Sequence, residues 1–281
     1  MTRTITDEEL NAINRAILTR YGLDFFHYEP TSFKRRVSRV IDKFGLDSSL
    51  GLWQRIIQDK DFIYVFIDEI TVGLTEMFRN SDFWIKLRNE LLPELNEKTA
   101  FSIWHAGCST GEEVYSMAIL LSEANLLDKA TMVATDLNSQ SIRLAQEGRF
   151  SGLNYDTYHA NYRAALGKGQ LSDYYVMKGE DMCFNHVDTR HVQFYQHNLS
   201  KDGMNQQFDI IFCRNVMIYF DEVLKLKVLE LFNHSLKEGG LLIIGYYDAL
   251  PADYRKWFTL LDPRTRIFRK SPVNQLILQA C

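Results

Sequence analysis

The sequence predicts an α/β protein in two parts: an all-helical segment over residues 1–80, then an open, mostly parallel sheet with helices on its faces. Three observations carry this reading. From Phe101 onward, short apolar runs alternate with stretches of helical periodicity, the pattern of strands joined by crossover helices. Upstream of Phe101 only helix signals occur. Near the end, "WFTLLD" and "RIFRK" are separated by a tight turn at Pro263, so these two runs can only form an antiparallel hairpin.

The elements follow in order. Thr6 and Glu9 form a capping box, Leu10, Ile13 and Ile17 follow at helical spacing, and Gly22 ends the run. Pro30 and Thr31 open a second helix, where Arg35, Arg39 and Lys43 repeat every four residues and share a basic face. A third apolar helical region around "WQRII" and "FIYVFIDEI" completes a bundle before "TVGLTEMFRN" breaks the pattern at Gly73. A linking helix in "SDFWIKLRNELLPEL" spans 81–100 and leads to the sheet domain, 101–270. There "FSIWHAG", "TMVATDL", "VQFYQHNL", "FDIIFCRN" and "GLLIIGYY" read as strands. The intervening helices include one with Val114, Met117, Ala118 and Leu121 on a face, "NSQSIRLAQEGR", and "EVLKLKVLELFNHSLK". Tyr174 to Gly179 and Met182 to His186 read as two short strands separated by Glu180 and Asp181, a small antiparallel flap at about 173–190. The tail, 271–281, carries no pattern.

Of the 281 residues, 46% are apolar and 24% charged, ordinary for a soluble chain with room for two modest domains. No apolar run approaches the roughly 18 residues that span a bilayer, and "MTRTITDEEL" lacks the basic start and apolar middle of a secretion signal. A cytoplasmic protein without membrane insertion is expected. Cys108, Cys183, Cys213 and Cys281 are far apart and form no CxxC, which points to reduced thiols and to no metal. The net charge of -4 argues against a general nucleic-acid binder.

In an open parallel sheet the ligand lies at the carboxyl ends of the strands, so the residues just after each strand carry the chemistry. After the first comes the turn from Gly107 to Gly111, followed by Glu112 and Glu113. This is neither GxGxxG nor a P-loop, because two carboxylates stand where a triphosphate would sit. It suits a ligand that is cationic or rich in hydroxyls. Asp136 follows the second strand, Asn198 the third, Arg214 and Asn215 the fourth. Asp136 faces the glycine turn across one strand spacing and is placed to accept both hydroxyls of a ribose. With a final antiparallel hairpin and no second mononucleotide-binding half, S-adenosylmethionine is favoured over a dinucleotide. Each residue has a plainer alternative: Asp136 as the cap of the next helix, Tyr219 as a core aromatic, Arg35, Arg39 and Lys43 as a solvated face. His105 is given no role, and Cys108 and Cys213 read as packing residues.

"AGCSTGEEVYS", "ATDLN", "CRNVMIYFD" and "LTEMFRN" together resemble the chemotaxis receptor glutamate methyltransferases, the CheR family, over nearly the whole chain. The resemblance implies a small all-α domain, which docks on the receptor, joined to a Rossmann-like S-adenosylmethionine-dependent domain with an antiparallel β insertion. It implies that Thr75, Arg79, Glu113 (or Glu112 beside it), Asp136, Asn198, Leu199, Arg214 and Asn215 line the cofactor site with Gly107, that Arg79 and Tyr219 serve the transfer, and that the partners are the cytoplasmic helices of chemoreceptors, reached by a monomer. The activity implied is transfer of a methyl group to glutamate side chains, giving methyl esters. A glutamate of pKa about 4.3 is already an anion at neutral pH, so no general base is needed. The sequence departs from the family at Gly73, where Asn is common, at Val114, where Pro is usual, and at Tyr246, Tyr247 and Asp248, where a Gly-His-Ser-Glu type sequence is common. Those departures leave a cofactor-binding regulatory homologue without turnover, or an enzyme acting on another carboxylate or small molecule, as alternatives.

Overall fold

A computed structural model describes residues 5–70, 75–185 and 187–272. Gly73, His186 and the tail from 273, with Cys281, lie outside the described residues.

The first helix, α1 (Asp7–Tyr21), starts on the capping box: Thr6 N–H donates to Glu9 Oε2 at 2.9 Å, and Glu9 N–H to Thr6 Oγ1 at 3.2 Å. Gly22, left-handed at φ 68°, closes it. In α2 (Pro30–Lys43) Pro30 fixes the first turn, and Glu29 caps it by accepting from the N–H groups of Thr31 and Ser32. The third apolar region proves to be two helices, α3 (Ser49–Gln58) and α4 (Phe62–Ile70). They part at Asp59, whose Oδ1 accepts from Asp61 and Phe62. Ile17, Phe33, Val37, Leu52 and Phe66 form the bundle's core.

The linking helix is interrupted. It runs as α5 (Ser81–Lys86), a π turn at Leu87–Leu91 and α6 (Leu92–Asn96). Pro93 has no N–H for an ordinary helical bond, and the wider turn ahead of it absorbs the mismatch.

The strands are β1 (Phe101–Ala106), β2 (Ala130–Asp136), β3 (Arg149–Ser151), β4 (Val176–Lys178), β5 (Asp181–Cys183), β6 (Val192–Gln196), β7 (Phe208–Cys213), β8 (Leu236–Ile244), β9 (Phe258–Asp262) and β10 (Ile267–Lys270). Between them lie α7 (Glu112–Glu123), α8 (Ser139–Glu147), α9 (Tyr155–Ala164) and α10 (Glu222–Ser235). Seven strands form one sheet in the order β6-β2-β1-β7-β8-β10-β9. The first five are parallel, and β10 is antiparallel to both its neighbours. The chain thus winds outward from β1 in one direction, then restarts at β7 in the other. The crevice between those two strands' carboxyl ends is where such sheets bind ligands.

Three details differ from the sequence reading. The flap has a third strand, β3, in the order β3-β5-β4, and its turn is Gly179 and Glu180, with Asp181 already paired to Lys178. Helix α9, not foreseen, leads into it. Strand β8 begins at Leu236, directly at the end of α10, and not at Gly240. Cys108, Cys183 and Cys213 are buried free thiols. Among the described residues, no helix is long and apolar enough to cross a membrane, and no cluster of His, Cys, Asp or Glu side chains is placed to hold a metal ion.

Candidate active site

The glycine turn is set by close approach. Gly107 adopts φ 82°, and a Cβ there would lie 2.5 Å from Val216 Cγ2, so a larger residue would push the β1 and β7 loops apart. The N–H groups of Gly107 and Cys108 both donate to Thr135 O, at 2.8 and 2.9 Å, which fixes the turn to the end of β2. One residue on, Asp136 Oδ2 accepts from Ser109 N–H at 2.8 Å and Oδ1 from Asn138 N–H at 2.9 Å. The cap of α8 is Asn138, whose side chain accepts from Gln140 and Ser141. Asp136 is therefore no helix cap but a wall of the crevice. Burial raises its pKa against the lowering effect of these backbone donors.

The two carboxylates after the turn separate in role. Glu112 is buried away from the crevice, accepting from Tyr158 Oη at 3.0 Å and Thr110 Oγ1 at 2.7 Å, and burial pushes its pKa up to about 7. Glu113 faces the crevice and has two side-chain partners, His105 Nδ1 at 3.0 Å and the Arg214 guanidinium through Nη1 at 3.0 Å. Burial works to raise its pKa, but the His105 hydrogen bond and the Arg214 charge outweigh that and hold it below the usual range. Arg214 also donates through Nη2 to Arg79 O at 3.2 Å and Asn80 Oδ1 at 2.8 Å, and its guanidinium lies 4.5 Å from the centre of the Phe83 ring. It thereby ties the segment bearing Thr75 and Arg79 to the end of β7.

One cavity takes in all ten residues that the sequence singled out for cofactor or catalysis: Thr75, Arg79, Gly107, Glu113, Asp136, Asn198, Leu199, Arg214, Asn215 and Tyr219. Arg35, Arg39 and Lys43 lie outside it, exposed on α2, and Lys43 pairs with Glu69 at 2.5 Å.

The structure adds residues that the sequence did not suggest. His105, wholly buried in β1, stacks on Phe212 at 4.7 Å and orients Glu113. Asp248 turns inward: its Oδ2 accepts from Asn215 N–H at 2.8 Å and Gly245 N–H at 2.7 Å, bracing Asn215 in its left-handed conformation, φ 62°. Arg36, on α2 beside the exposed basic face, lies 4.1 Å from the Tyr219 ring centre and donates to Ile70 O. Residues 27–29 pair with 219–221 as an antiparallel bridge, with Glu29 N–H to Tyr219 O at 2.9 Å and Asp221 N–H to His27 O at 2.8 Å.

Residues 8–71 match the family model "CheR methyltransferase, all-alpha domain", and residues 73–267 match "CheR methyltransferase, SAM binding domain". The chain belongs to the CheR methyltransferase family. Among its relatives is "Putative methyltransferase Cher3" of Pseudomonas putida, 35% identical over 267 residues, covering 95% of this chain and 98% of that one. "Chemotaxis protein methyltransferase" of Listeria monocytogenes is 30% identical over 244 residues, covering 85% and 90%. "Chemotaxis protein methyltransferase 1" of Vibrio cholerae is 30% identical over 261 residues, covering 88% and 91%.

The cofactor of this CheR domain is S-adenosylmethionine, and the donor set of the cavity fits it. That molecule offers ribose hydroxyls, an ammonium, a carboxylate and a sulfonium. The crevice answers with the Asp136 carboxylate, the Glu113 carboxylate, the Arg79 guanidinium and the apolar faces of Leu137 and Leu199.

Proposed function

We propose that this CheR-family methyltransferase esterifies glutamate side chains on the cytoplasmic helices of chemoreceptors, acting as a monomer in the cytoplasm. The observation that carries the reading is the crevice into which Arg79, Glu113, Asp136, and Arg214 with Tyr219 converge from four separate stretches of chain. When bound, S-adenosylmethionine supplies an activated methyl group and leaves as S-adenosylhomocysteine. Asp136 accepts from the ribose, Glu113 takes the ammonium, and Asn198, Leu199 and Asn215 shape the rest of the pocket with Gly107 and Thr75. Arg214 holds Glu113 ionised and in place. The Arg79 guanidinium lines the crevice and aligns the incoming carboxylate, with Tyr219 beside the transferred group. The chain's contribution is alignment in a site shielded from water, an effect worth roughly 7–11 kcal/mol when geometry is right. No residue has to remove a proton, because the substrate carboxylate is ionised at neutral pH.

Residues 1–80 present Arg35, Arg39 and Lys43 to an acidic helical surface. The inward course of Asp248 supports turnover over a purely regulatory role, since this departure from the family pattern braces the Asn215 loop. Receptor-containing membranes and methyl-labelled cofactor test the proposal: label must enter the receptor and be released by mild alkali, as an ester is. Alkali-stable label would place the methyl group on another atom and reject glutamate as the acceptor.

A further inference from the structure

Among the described residues, Tyr28 is the one residue upstream of position 71 that lines the cavity. It reaches the crevice because the 27–29 stretch pairs with the β7 loop, with Tyr28 and Phe220 forming the bridge. Its ring is clasped from both sides of the seam: edge-on to Phe220 at 5.5 Å, edge-on to Phe25 at 4.9 Å, and against Phe33 at 5.8 Å. The same residue packs on the helical core and on the core beneath β7 and β8. A ring held by packing and backbone pairing points its hydroxyl with little freedom left to lose, which is the condition for a useful ligand contact. Leu137, next to Asp136 and also lining the cavity, packs on the helical core as well, so the helical domain closes the crevice on the Asp136 side.

We infer that Tyr28 is a cofactor-binding residue supplied by the helical domain, its hydroxyl bonding the ribose of the adenosyl group that Asp136 also holds. The inference rests on the cofactor assignment made above for Asp136. The electrostatics agree: burial and the negative charge of Asp136 push the Tyr28 hydroxyl well above its ordinary pKa, while Arg36 works the other way. Tyr28 therefore stays protonated and is a hydrogen-bond donor, the partner that a ribose oxygen needs once Asp136 has accepted from the ribose hydroxyls.

Calorimetric titration with S-adenosylhomocysteine and with its 2′-deoxy and 3′-deoxy analogues tests this on the full chain. Tyr28→Phe keeps the ring, and with it the packing at the seam. It should weaken S-adenosylhomocysteine about three- to tenfold, the range for loss of one hydrogen bond. The loss should shrink or vanish for one of the two deoxy analogues, because the hydroxyl's partner is then already missing. A merely structural role would weaken all three ligands equally, and that result overturns the assignment, as does a Tyr28→Phe chain that binds S-adenosylhomocysteine within twofold of wild type. Tyr28→Ala should bind more weakly still. A wild-type chain that binds no S-adenosylhomocysteine would instead remove the underlying cofactor reading, and the Tyr28 assignment with it.

Discussion

The Arg36 guanidinium lies 4.1 Å from the centre of the Tyr219 ring while donating to Ile70 O at the end of α4, so one buried cation joins two helices of the bundle to the loop after β7. Arginine over an aromatic face contributes roughly 0.5–2 kcal/mol. Arg36→Met keeps most of the volume and loses the charge. We expect kcat to fall about two- to thirtyfold while affinity for S-adenosylhomocysteine holds, with Arg36→Lys intermediate. Unchanged kcat in Arg36→Met, measured at saturating cofactor, would show that the stacking does not position Tyr219.

Asp136 serves the loop and the ligand together. Asp136→Ala should weaken S-adenosylhomocysteine about ten- to a hundredfold, the equivalent of roughly 1.5–3 kcal/mol for bonds to a charged group. It should also lower the unfolding midpoint, since the N–H groups of Ser109 and Asn138 lose their acceptor. Calorimetry showing full affinity would end the ribose assignment.

Much of this arrangement was legible in the sequence. The capping box, the alternation after Phe101 and the final hairpin are local patterns, and each fixed an element. The polar residues after each strand are dictated by the position of the crevice in any open parallel sheet, which is why Glu113, Asp136, Asn198, Arg214 and Asn215 meet in one cavity, whereas Thr75, Arg79, Leu199 and Tyr219 were legible only through the family resemblance. What escaped had no local signature. Helix α9, "YDTYHANYRA", buries only Tyr158 and Tyr162, so it shows no aliphatic stripe, and β3 is three residues long. Tyr28 and Arg36 acquire their places through contact between two domains. His105 lies inside an apolar strand, where its partner eight residues on cannot be read until the turn between them is known.

Stability should depend on Glu112. Its pKa in the folded chain, about 7, is above the ordinary carboxylate value near 4.5 because burial disfavours the ion. The folded state therefore binds the proton more tightly, and stability present below pH 4.5 is lost as pH rises toward 7. The difference is on the order of 3 kcal/mol. Urea unfolding between pH 4.5 and 8 should show a decline in wild type that Glu112→Gln flattens. Parallel curves for the two proteins would contradict this.

Asp248 is expected to act through the loop it braces. Asp248→Ala leaves the N–H groups of Asn215 and Gly245 buried without their acceptor, at about 1–3 kcal/mol each. Both stability and kcat should drop, and Asp248→Asn, which retains an acceptor oxygen, should recover part of each. Equal urea midpoints for wild type and Asp248→Ala would refute the bracing role.

On the exposed face of α2, Arg35→Glu with Arg39→Glu should raise the KM for receptor membranes and flatten its dependence on salt. Reversing Lys43 alone should matter less, because its charge is already engaged by Glu69. Receptor methylation assayed across ionic strength separates these cases, and a double variant as active as wild type at low salt would move docking to another surface.

The place of β10 in the sheet has a consequence for how the chain matures. It sits between β8 and β9 although it follows both in sequence, and it hydrogen-bonds to each. Until β10 has been synthesised and has threaded into that gap, β8 keeps a bare backbone edge of a kind that pairs readily with other chains. Nascent or truncated chains ending before Ile267 should thus be the species most prone to aggregation, even though every residue named at the crevice is already in place.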